Sequence, residues 1–261
     1  MSLYQTIILS LVEGLTEFLP VSSTAHLVLA SRIIGVAQSD FVKSFEVIIQ
    51  LGAILAVVAL YFKELIKNVR LWFKIILAFL PSAVLGFLLY DFIKARLLGN
   101  GLVTASALIV GGFVFTLMDR IFRTSRITNG QAVTLTNISS LRLLGIGMAQ
   151  SLAMVPGVSR SAASIFGGML AGLSKTDAVK FSFFLAIPTM LAATTLDVYK
   201  SGFNFSQSEI TLLSIGFIGA FITALIAIKA FIKIVQKHSF LPFGIYRIVV
   251  GIFWLFAIIK L

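Results

Sequence analysis

Two carboxylates, a hydroxyl and an imidazole lie close together near the start of the chain, at Glu13, Glu17, Ser23 and His26. Residues four apart on a helix project from one face, so Glu13 and Glu17 are predicted to point the same way. Ser23 and His26 are three apart, a spacing that would let the imidazole activate the hydroxyl as a nucleophile. Alternatively, His26 itself attacks. These residue types are typical of a reaction centre, and the spacing leaves both nucleophiles open.

A second polar cluster, Pro156-Gly-Val-Ser-Arg-Ser-Ala-Ala-Ser164, places an arginine among hydroxyls. A helix that begins just after a proline break offers unpaired backbone N–H groups and the positive end of its dipole, which favour an anion. The planar guanidinium of Arg160 can bind two phosphate oxygens at once. The cluster therefore indicates a phosphate site. The hydroxyls predicted to contact the substrate, or else to cap the broken helices, are those of Ser22, Ser159, Ser161 and Ser164.

The composition is that of a membrane protein. Of 261 residues, 59% are hydrophobic and only 12% are charged, whereas soluble domains have about 25% charged residues. Several apolar stretches approach the ~20 residues that a helix needs to cross a bilayer. They are Phe45–Phe62, Ile75–Phe92, Leu102–Met118, Phe181–Asp197, Thr211–Ile228 and Leu241–Ile259. The chain has no cysteine, which excludes disulfides and thiol chemistry.

The basic residues are distributed unevenly between the predicted loops. Thirteen lysines and arginines fall on the side of loops 63–74, 120–142 and 229–241, and six fall on the other side. Because cytoplasmic loops of membrane proteins are enriched in Lys and Arg, these three loops are predicted to be cytoplasmic. The same rule explains the net charge of +11, so nucleic acid is not expected as a partner.

The sequence contains a predicted internal repeat. A shift of 136 residues places Pro20 on Pro156, Ser23 on Ser159 and Phe45 on Phe181. Each half opens with an apolar segment that a proline interrupts, since proline removes a helix donor and clashes with the preceding turn. These segments are Tyr4–Gly35 and Leu143–Leu173.

If the chain turns back at each break, both segments are re-entrant hairpins that do not cross the membrane. Each half then has three crossings, and the second half begins on the opposite side from the first. The predicted fold is an all-α integral membrane protein, one membrane domain over 1–261, with an inverted-topology repeat. Repeat 1 covers about 1–122, the linker about 123–140 and repeat 2 about 141–261. Both breaks are expected to meet near mid-membrane, which would bring Glu17 to Arg160.

The chain resembles the BacA/UppP family of undecaprenyl-diphosphate phosphatases. The resemblance covers nearly the whole chain and rests on five segments. They are Glu13-Gly-Leu-Thr-Glu17-Phe-Leu-Pro-Val-Ser-Ser-Thr-Ala-His26, Phe45-Glu-Val-Ile-Ile-Gln-Leu-Gly52, Pro156-Gly-Val-Ser-Arg-Ser161, Ile226-Ala-Ile-Lys229 and Pro242-Phe-Gly-Ile-Tyr-Arg247. Two alanines, Ala25 and Ala162, stand where the family usually has glycine, and Ser164 replaces a usual threonine.

Several expectations follow from this resemblance. It implies removal of the terminal phosphate from a C55 polyprenyl diphosphate, recycling of the cell-wall lipid carrier and bacitracin resistance. It also implies a divalent-cation requirement, a homodimer, and a place in the bacterial inner membrane with the active site open to the periplasm.

The predicted mechanism gives each residue one role. Glu13 and Glu17 hold Mg²⁺ or Ca²⁺, Ser23 attacks, His26 transfers the proton, and Arg160 with its neighbouring serines clamps the diphosphate. The alternative is a transporter or flippase of polyprenyl phosphate head groups, since inverted repeats with broken helices are common in transporters. Hydrolysis needs a nucleophile and proton transfer, which transport does not. Arg247, also inside an apolar segment, is interpreted as an interface anchor and receives no role.

Overall fold

The computed structural model describes residues 1–37, 39–97, 99–124, 133–201 and 205–259. Every regular element in these ranges is a helix, apart from an isolated bridge between Val133 and Leu173. The helices are α1 Leu3–Thr16, α2 Ser23–Ile33, α3 Asp40–Lys67, α4 Val69–Phe92, α5 Gly101–Thr124, α6 Ser140–Ser151, α7 Arg160–Leu170, α8 Lys175–Ser201, α9 Gln207–Lys237 and α10 Leu241–Ile259. The prediction of an all-α protein is confirmed.

Five helices in these ranges, α3, α4, α5, α8 and α9, are long and apolar enough to cross a membrane. α10, the remaining predicted span, has 19 residues and packs along α5. The protein is therefore described as a multi-pass integral membrane protein.

Both predicted interruptions are present. α1 ends at Thr16 and α2 begins at Ser23. α6 ends at Ser151 and is followed by one 3-10 turn, Leu152–Met154, before α7 begins at Arg160. Each break contains its proline, Pro20 or Pro156, and in each pair the two short helices contact each other. The sequence rule that proline ends a helix thus places both interruptions correctly.

The helices that follow the two breaks begin in the same unusual way. Ser22, with φ 74°, and Ser159, with φ 75°, are the only non-glycine residues with positive φ in the described ranges. Such a conformation costs an L-residue about 1–3 kcal/mol, so surrounding contacts must hold it. By conformation Ser22, and not Ser23 as the sequence shift predicts, corresponds to Ser159. The second break has one more residue, Gly157, between its proline and its helix.

The broken segment of each half packs on a helix of the other half. α1 packs on α9, and α6 packs on α4. The same two helices also contact the long helix that follows each break, because α3 packs on α9 and α8 packs on α4. Glycines allow both close approaches. A Cβ at Gly14 would overlap the Ala220 carbonyl of α9, and one at Gly147 would overlap the Ala78 carbonyl of α4. This exchange brings the two breaks into one interior.

The predicted linker 123–140 is described only in part, because residues 125–132 lie outside the described ranges. Beyond them, Ile138 is buried, and the Lys74 ammonium of α4 donates to the carbonyls of Leu135 and Thr136. The end of the linker is therefore fastened to the bundle. The repeat boundaries themselves stay a prediction.

Candidate active site

A buried ion pair joins the two breaks. Nη2 of Arg160 donates to Oε1 of Glu17 at 2.7 Å, and their side chains are only 10% and 4% exposed. The guanidinium also donates from Nη1 to the Ser182 carbonyl at 2.9 Å and lies 5.7 Å from the centre of the Phe18 ring. The predicted meeting of the acidic break with the arginine-bearing break is thus present in the structure.

The second oxygen of the same carboxylate binds the candidate nucleophile. Ser23, the first residue of α2, donates from Oγ to Oε2 of Glu17 at 2.6 Å. A hydroxyl bonded to a carboxylate at this distance is a strong, charge-assisted donor. Glu17 therefore binds a cation through one oxygen and is placed to accept a proton from Ser23 through the other.

His26 lies elsewhere than its predicted role requires. Its Nδ1 is 2.8 Å from the Ser22 carbonyl, and its Nε2 is 2.7 Å from the Tyr246 hydroxyl, whose ring stacks on the imidazole. Because a carbonyl can only accept, Nδ1 carries the proton and Nε2 accepts from the tyrosine. The expected pairing of His26 with Ser23 is wrong in this structure: Ser23 is the first residue of its helix, and its hydroxyl turns back to Glu17.

Glu13 is fully buried, and no N–H or O–H donor in the described part of the chain reaches its carboxyl oxygens. The charged side chains close enough to act on it are Glu17, Glu46 and Arg160. Three carboxyl groups gather around one guanidinium, and carboxylate oxygens suit Mg²⁺ or Ca²⁺. No three metal-binding side chains gather among the described residues, so an ion here would need other ligands as well.

The four serines of the predicted phosphate site divide into two groups. Ser22 and Ser159 line the cavity described below, and Ser159 also caps α7 through Ala162 N. Ser161 and Ser164 are fully buried, do not line that cavity and make structural bonds instead. Ser161 donates to the Leu19 carbonyl of the opposite break at 2.7 Å, and Ser164 donates to the Arg160 carbonyl. Their positions do not support contact with substrate.

Arg247 connects both breaks, a role that the sequence prediction missed. It is 0% exposed and donates to the carbonyls of Pro20, Gly157, Val158 and Ala107, at 2.9–3.3 Å. Carbonyls freed by a break need donors, and a guanidinium has five N–H groups. The available signal was an arginine in the middle of an apolar helix, which the interface-anchor interpretation set aside.

A cavity of about 530 Å³ adjoins the Glu17–Arg160 ion pair. Its polar wall contains Glu17, Ser23 and Arg160. Its other walls come mainly from α4 and α8. They combine apolar side chains with a few polar ones such as Ser82, Thr189 and Asp197, and Phe87 and Ala193 on these helices are exposed. The mouth therefore lies between α4 and α8, on the apolar outside of the molecule.

A second cavity, of about 970 Å³, adjoins the first. Both cavities are lined by Thr24, Val47, Gln50, Pro156 and Asp197. The second is bordered by charged side chains near the helix ends, namely Arg32, Asp40, Lys43, Glu46 and Glu209. The polar wall of the first cavity thus borders a charged chamber as well as an apolar mouth.

The sequence matches known proteins over almost its whole length. A family model described as "Bacitracin resistance protein BacA" matches residues 6–253. A relative from Aquifex aeolicus is 49% identical over 255 residues, covering 97% of both chains. One from Flavobacterium johnsoniae is 49% identical, covering 97% of this chain and 94% of the relative. One from Wolinella succinogenes is 46% identical, covering 98% of both. All three are named undecaprenyl-diphosphatase.

Proposed function

The chain belongs to the family of the bacitracin resistance protein BacA, and from this membership we propose that it is a membrane-embedded undecaprenyl-diphosphatase. It hydrolyses undecaprenyl diphosphate to the monophosphate and inorganic phosphate, which recycles the cell-wall lipid carrier and confers bacitracin resistance. The observation that carries the proposal is the Glu17 carboxylate, bound at once to Ser23 and Arg160 within the cavity.

The shape of the cavity suits a lipid with a charged head group. Its volume of about 530 Å³ is in the range of sites that hold small ligands. The cavity can therefore hold the diphosphate head group but cannot also enclose the C55 chain. The diphosphate would bind beside Glu17, Ser23 and Arg160, and the polyprenyl tail would pass between α4 and α8 into the bilayer. The apolar side chains at that mouth support this placement.

The geometry supports Ser23 as the nucleophile and Glu17 as its base. Oγ of Ser23 attacks the terminal phosphorus, its proton passes to Oε2 of Glu17, and undecaprenyl phosphate leaves. The Arg160 guanidinium stabilises the charge on the transferred phosphoryl group. Its Nε has no partner among the described residues. His26 holds the strained Ser22 backbone beside Ser23 instead of taking the proton.

A transporter of polyprenyl phosphate head groups is less well supported. A carrier needs groups that bind the phosphate. It does not need a hydroxyl that is hydrogen-bonded to a base, as Ser23 is to Glu17. The relatives also carry the name of a hydrolase.

The function is tested with purified protein and undecaprenyl diphosphate in detergent or liposomes. We expect release of inorganic phosphate with formation of one equivalent of undecaprenyl phosphate. Movement of the labelled lipid between leaflets with no phosphate released would contradict the proposal and would favour the transporter.

We further propose that Glu13 and Glu17 contribute to a Mg²⁺ or Ca²⁺ site, supported by the complete burial of Glu13 near Glu17, Glu46 and Arg160. Mg²⁺ is often bound by one or two carboxylates together with substrate phosphates and water, which fits the small number of acidic ligands here. A bound ion would neutralise charge on the diphosphate. The protein residues would orient that diphosphate towards Ser23.

Removal of divalent cations with EDTA is expected to stop phosphate release, and added Mg²⁺ or Ca²⁺ is expected to restore it. Glu13→Gln should raise the Mg²⁺ concentration for half-maximal release by at least about tenfold, because a ligand oxygen is lost. Asp177→Asn, at a half-buried acid in the first turn of α8, is the matched control. An unchanged Mg²⁺ dependence in Glu13→Gln would remove this glutamate from the site.

The finer topology is also a proposal: two re-entrant hairpins in an inverted repeat, in the bacterial inner membrane. The exchanged packing of the two halves and the matching conformations of Ser22 and Ser159 support it. The charged cavity lies at the helix ends opposite the basic loops, so it would open to the periplasm. A single cysteine introduced at Lys43 should then react with an impermeant thiol reagent on intact cells, and one at Arg70 should not.

A further inference from the structure

Gln150 is a buried amide in the wall of the candidate active site with no role assigned so far. It lies near the end of α6, is 2% exposed and lines the 530 Å³ cavity with Ser23 and Arg160. The same cavity is also lined by the apolar side chains of Phe79, Met154 and Met190. A carboxamide in such a position needs partners for all its polar atoms.

The hydrogen bonds of two neighbouring hydroxyls fix the orientation of this amide. Ser82 donates its proton to the Phe79 carbonyl at 2.9 Å, and Thr189 donates its proton to the Leu185 carbonyl at 2.7 Å. Neither hydroxyl has a second proton to give. The Gln150 NH₂ group must therefore be the donor to both oxygens, at 2.9 and 3.0 Å.

The carbonyl oxygen of the amide is consequently left over. Oε1 of Gln150 is turned away from the two hydroxyls and has no partner among the described residues. An unpaired buried acceptor costs about 1–3 kcal/mol, and an ordered water is the usual remedy. The ionised diphosphate has no proton to offer it. A water molecule is the donor that the reaction itself requires.

We propose that Gln150 is a positioning residue for the water that hydrolyses the phosphoryl-enzyme, an inference that rests on the proposed function. The water oxygen bonds to phosphorus while the bond between phosphorus and Oγ of Ser23 breaks. One water proton passes through Glu17 to Oγ, and the other leaves on the phosphate. The fixed carbonyl of Gln150 accepts a hydrogen bond from the water and holds its lone pair towards phosphorus.

The test uses undecaprenyl diphosphate labelled with ³²P in the terminal phosphate, with acid quenching and measurement of both free phosphate and protein-bound label. Wild-type protein should release phosphate and retain little label. Gln150→Met keeps the side-chain length but removes the acceptor, so phosphate release should fall about 10²-fold. At the same time, acid-stable label should accumulate on the protein, because the water step slows more than the attack by Ser23.

Two further variants make the result specific. Ser82→Ala combined with Thr189→Val keeps Gln150 but frees its amide, so label should also accumulate, to a lesser extent; this variant decides the question if Gln150→Met does not fold. Ser151→Ala is the control and should match wild type, because the Ser151 hydroxyl donates to the Gly147 carbonyl of its own helix.

Slower release without label accumulation would show that Gln150 supports the fold alone, and an unchanged rate would show that it has no role. Either result overturns the inference. Failure of wild-type protein to release any phosphate would instead overturn the proposed function.

Discussion

Ser23→Ala is expected to lower kcat for phosphate release by on the order of 10⁴-fold, because it removes the nucleophile. Ser23 is the hydroxyl bound to the candidate base, at 2.6 Å from Oε2 of Glu17. Glu17→Gln should cause a similar loss, since an amide cannot take the proton and leaves Arg160 buried without its anion. Because the two residues act as a unit, the double variant should be little worse than either single one. Single-turnover phosphate release with saturating protein measures these effects.

Two further variants test whether the loss of activity is specific to Ser23. Ser174→Ala, at an exposed serine before α8, should leave the rate unchanged. His26→Ala should lower the rate by only about 10- to 10²-fold, since His26 hydrogen-bonds to Ser22 and Tyr246 whereas Ser23 hydrogen-bonds to Glu17. A loss in His26→Ala as large as in Ser23→Ala, with acid-labile label on His26 in the wild type, would reject Ser23 in favour of the histidine.

Arg247→Met is expected to destabilise the whole protein as well as the site. The variant leaves the carbonyls of Pro20, Gly157 and Val158 without the buried donor that joins the two breaks. Hydrogen bonds to a charged donor contribute about 1.5–3 kcal/mol each. A net loss of about 3–5 kcal/mol is a large part of a typical unfolding free energy and corresponds to a fall in Tm of roughly 10 °C. Thermal unfolding in detergent measures it, and phosphate release should fall in parallel.

A pair of glycine variants tests the contacts of Arg247 with the two breaks without removing the arginine. A methyl group at Gly111 of α5 would overlap Nη2 of Arg247, whereas one at Gly145 of α6 would meet no atom within 4 Å. Gly111→Ala should therefore lower Tm and activity, while Gly145→Ala should leave both unchanged or raise Tm slightly, as alanine favours helix. Equal Tm and activity in the two variants would contradict the proposed role of Arg247 in joining the two breaks.

The sequence was sufficient to predict the parts of the site that depend on backbone chemistry and charge. Proline placed the breaks at Pro20 and Pro156, because its ring is incompatible with a continuing helix. The pairing of Glu17 with Arg160 was also predictable, since isolated charges in a membrane interior need opposite partners. Both inferences rest on large energies that tertiary packing rarely overrides.

The relation of Ser23 to His26 was not predictable, because helical spacing holds only inside a helix. Ser23 is the first residue of α2, and its N-terminal neighbour Ser22 has a left-handed backbone, so the hydroxyl turns towards the preceding break. The partner that His26 does bind, Tyr246, is 220 residues away. No local pattern connects residues at such a separation.

The role of Arg247 was missed for a related reason. Its partners are backbone carbonyls, which carry no sequence signature, and the space for its guanidinium is left by Gly111 on another helix. Only the position of a charge within an apolar run hinted at a buried role. Gln150 shows the same limit, since its orientation depends on where Ser82 and Thr189 send their protons.

The ion pair between the two breaks also sets an order of events during biosynthesis. The ribosome adds Glu17 143 residues before Arg160, so at ~5–20 residues per second the carboxylate waits roughly 10–30 s for its partner. α9, on which α1 packs, is translated later still. During that interval, placing α1 and α2 in lipid would leave the Glu17 carboxylate buried without a partner, which is energetically costly. The two helices therefore take their final positions only after most of the polypeptide has been inserted.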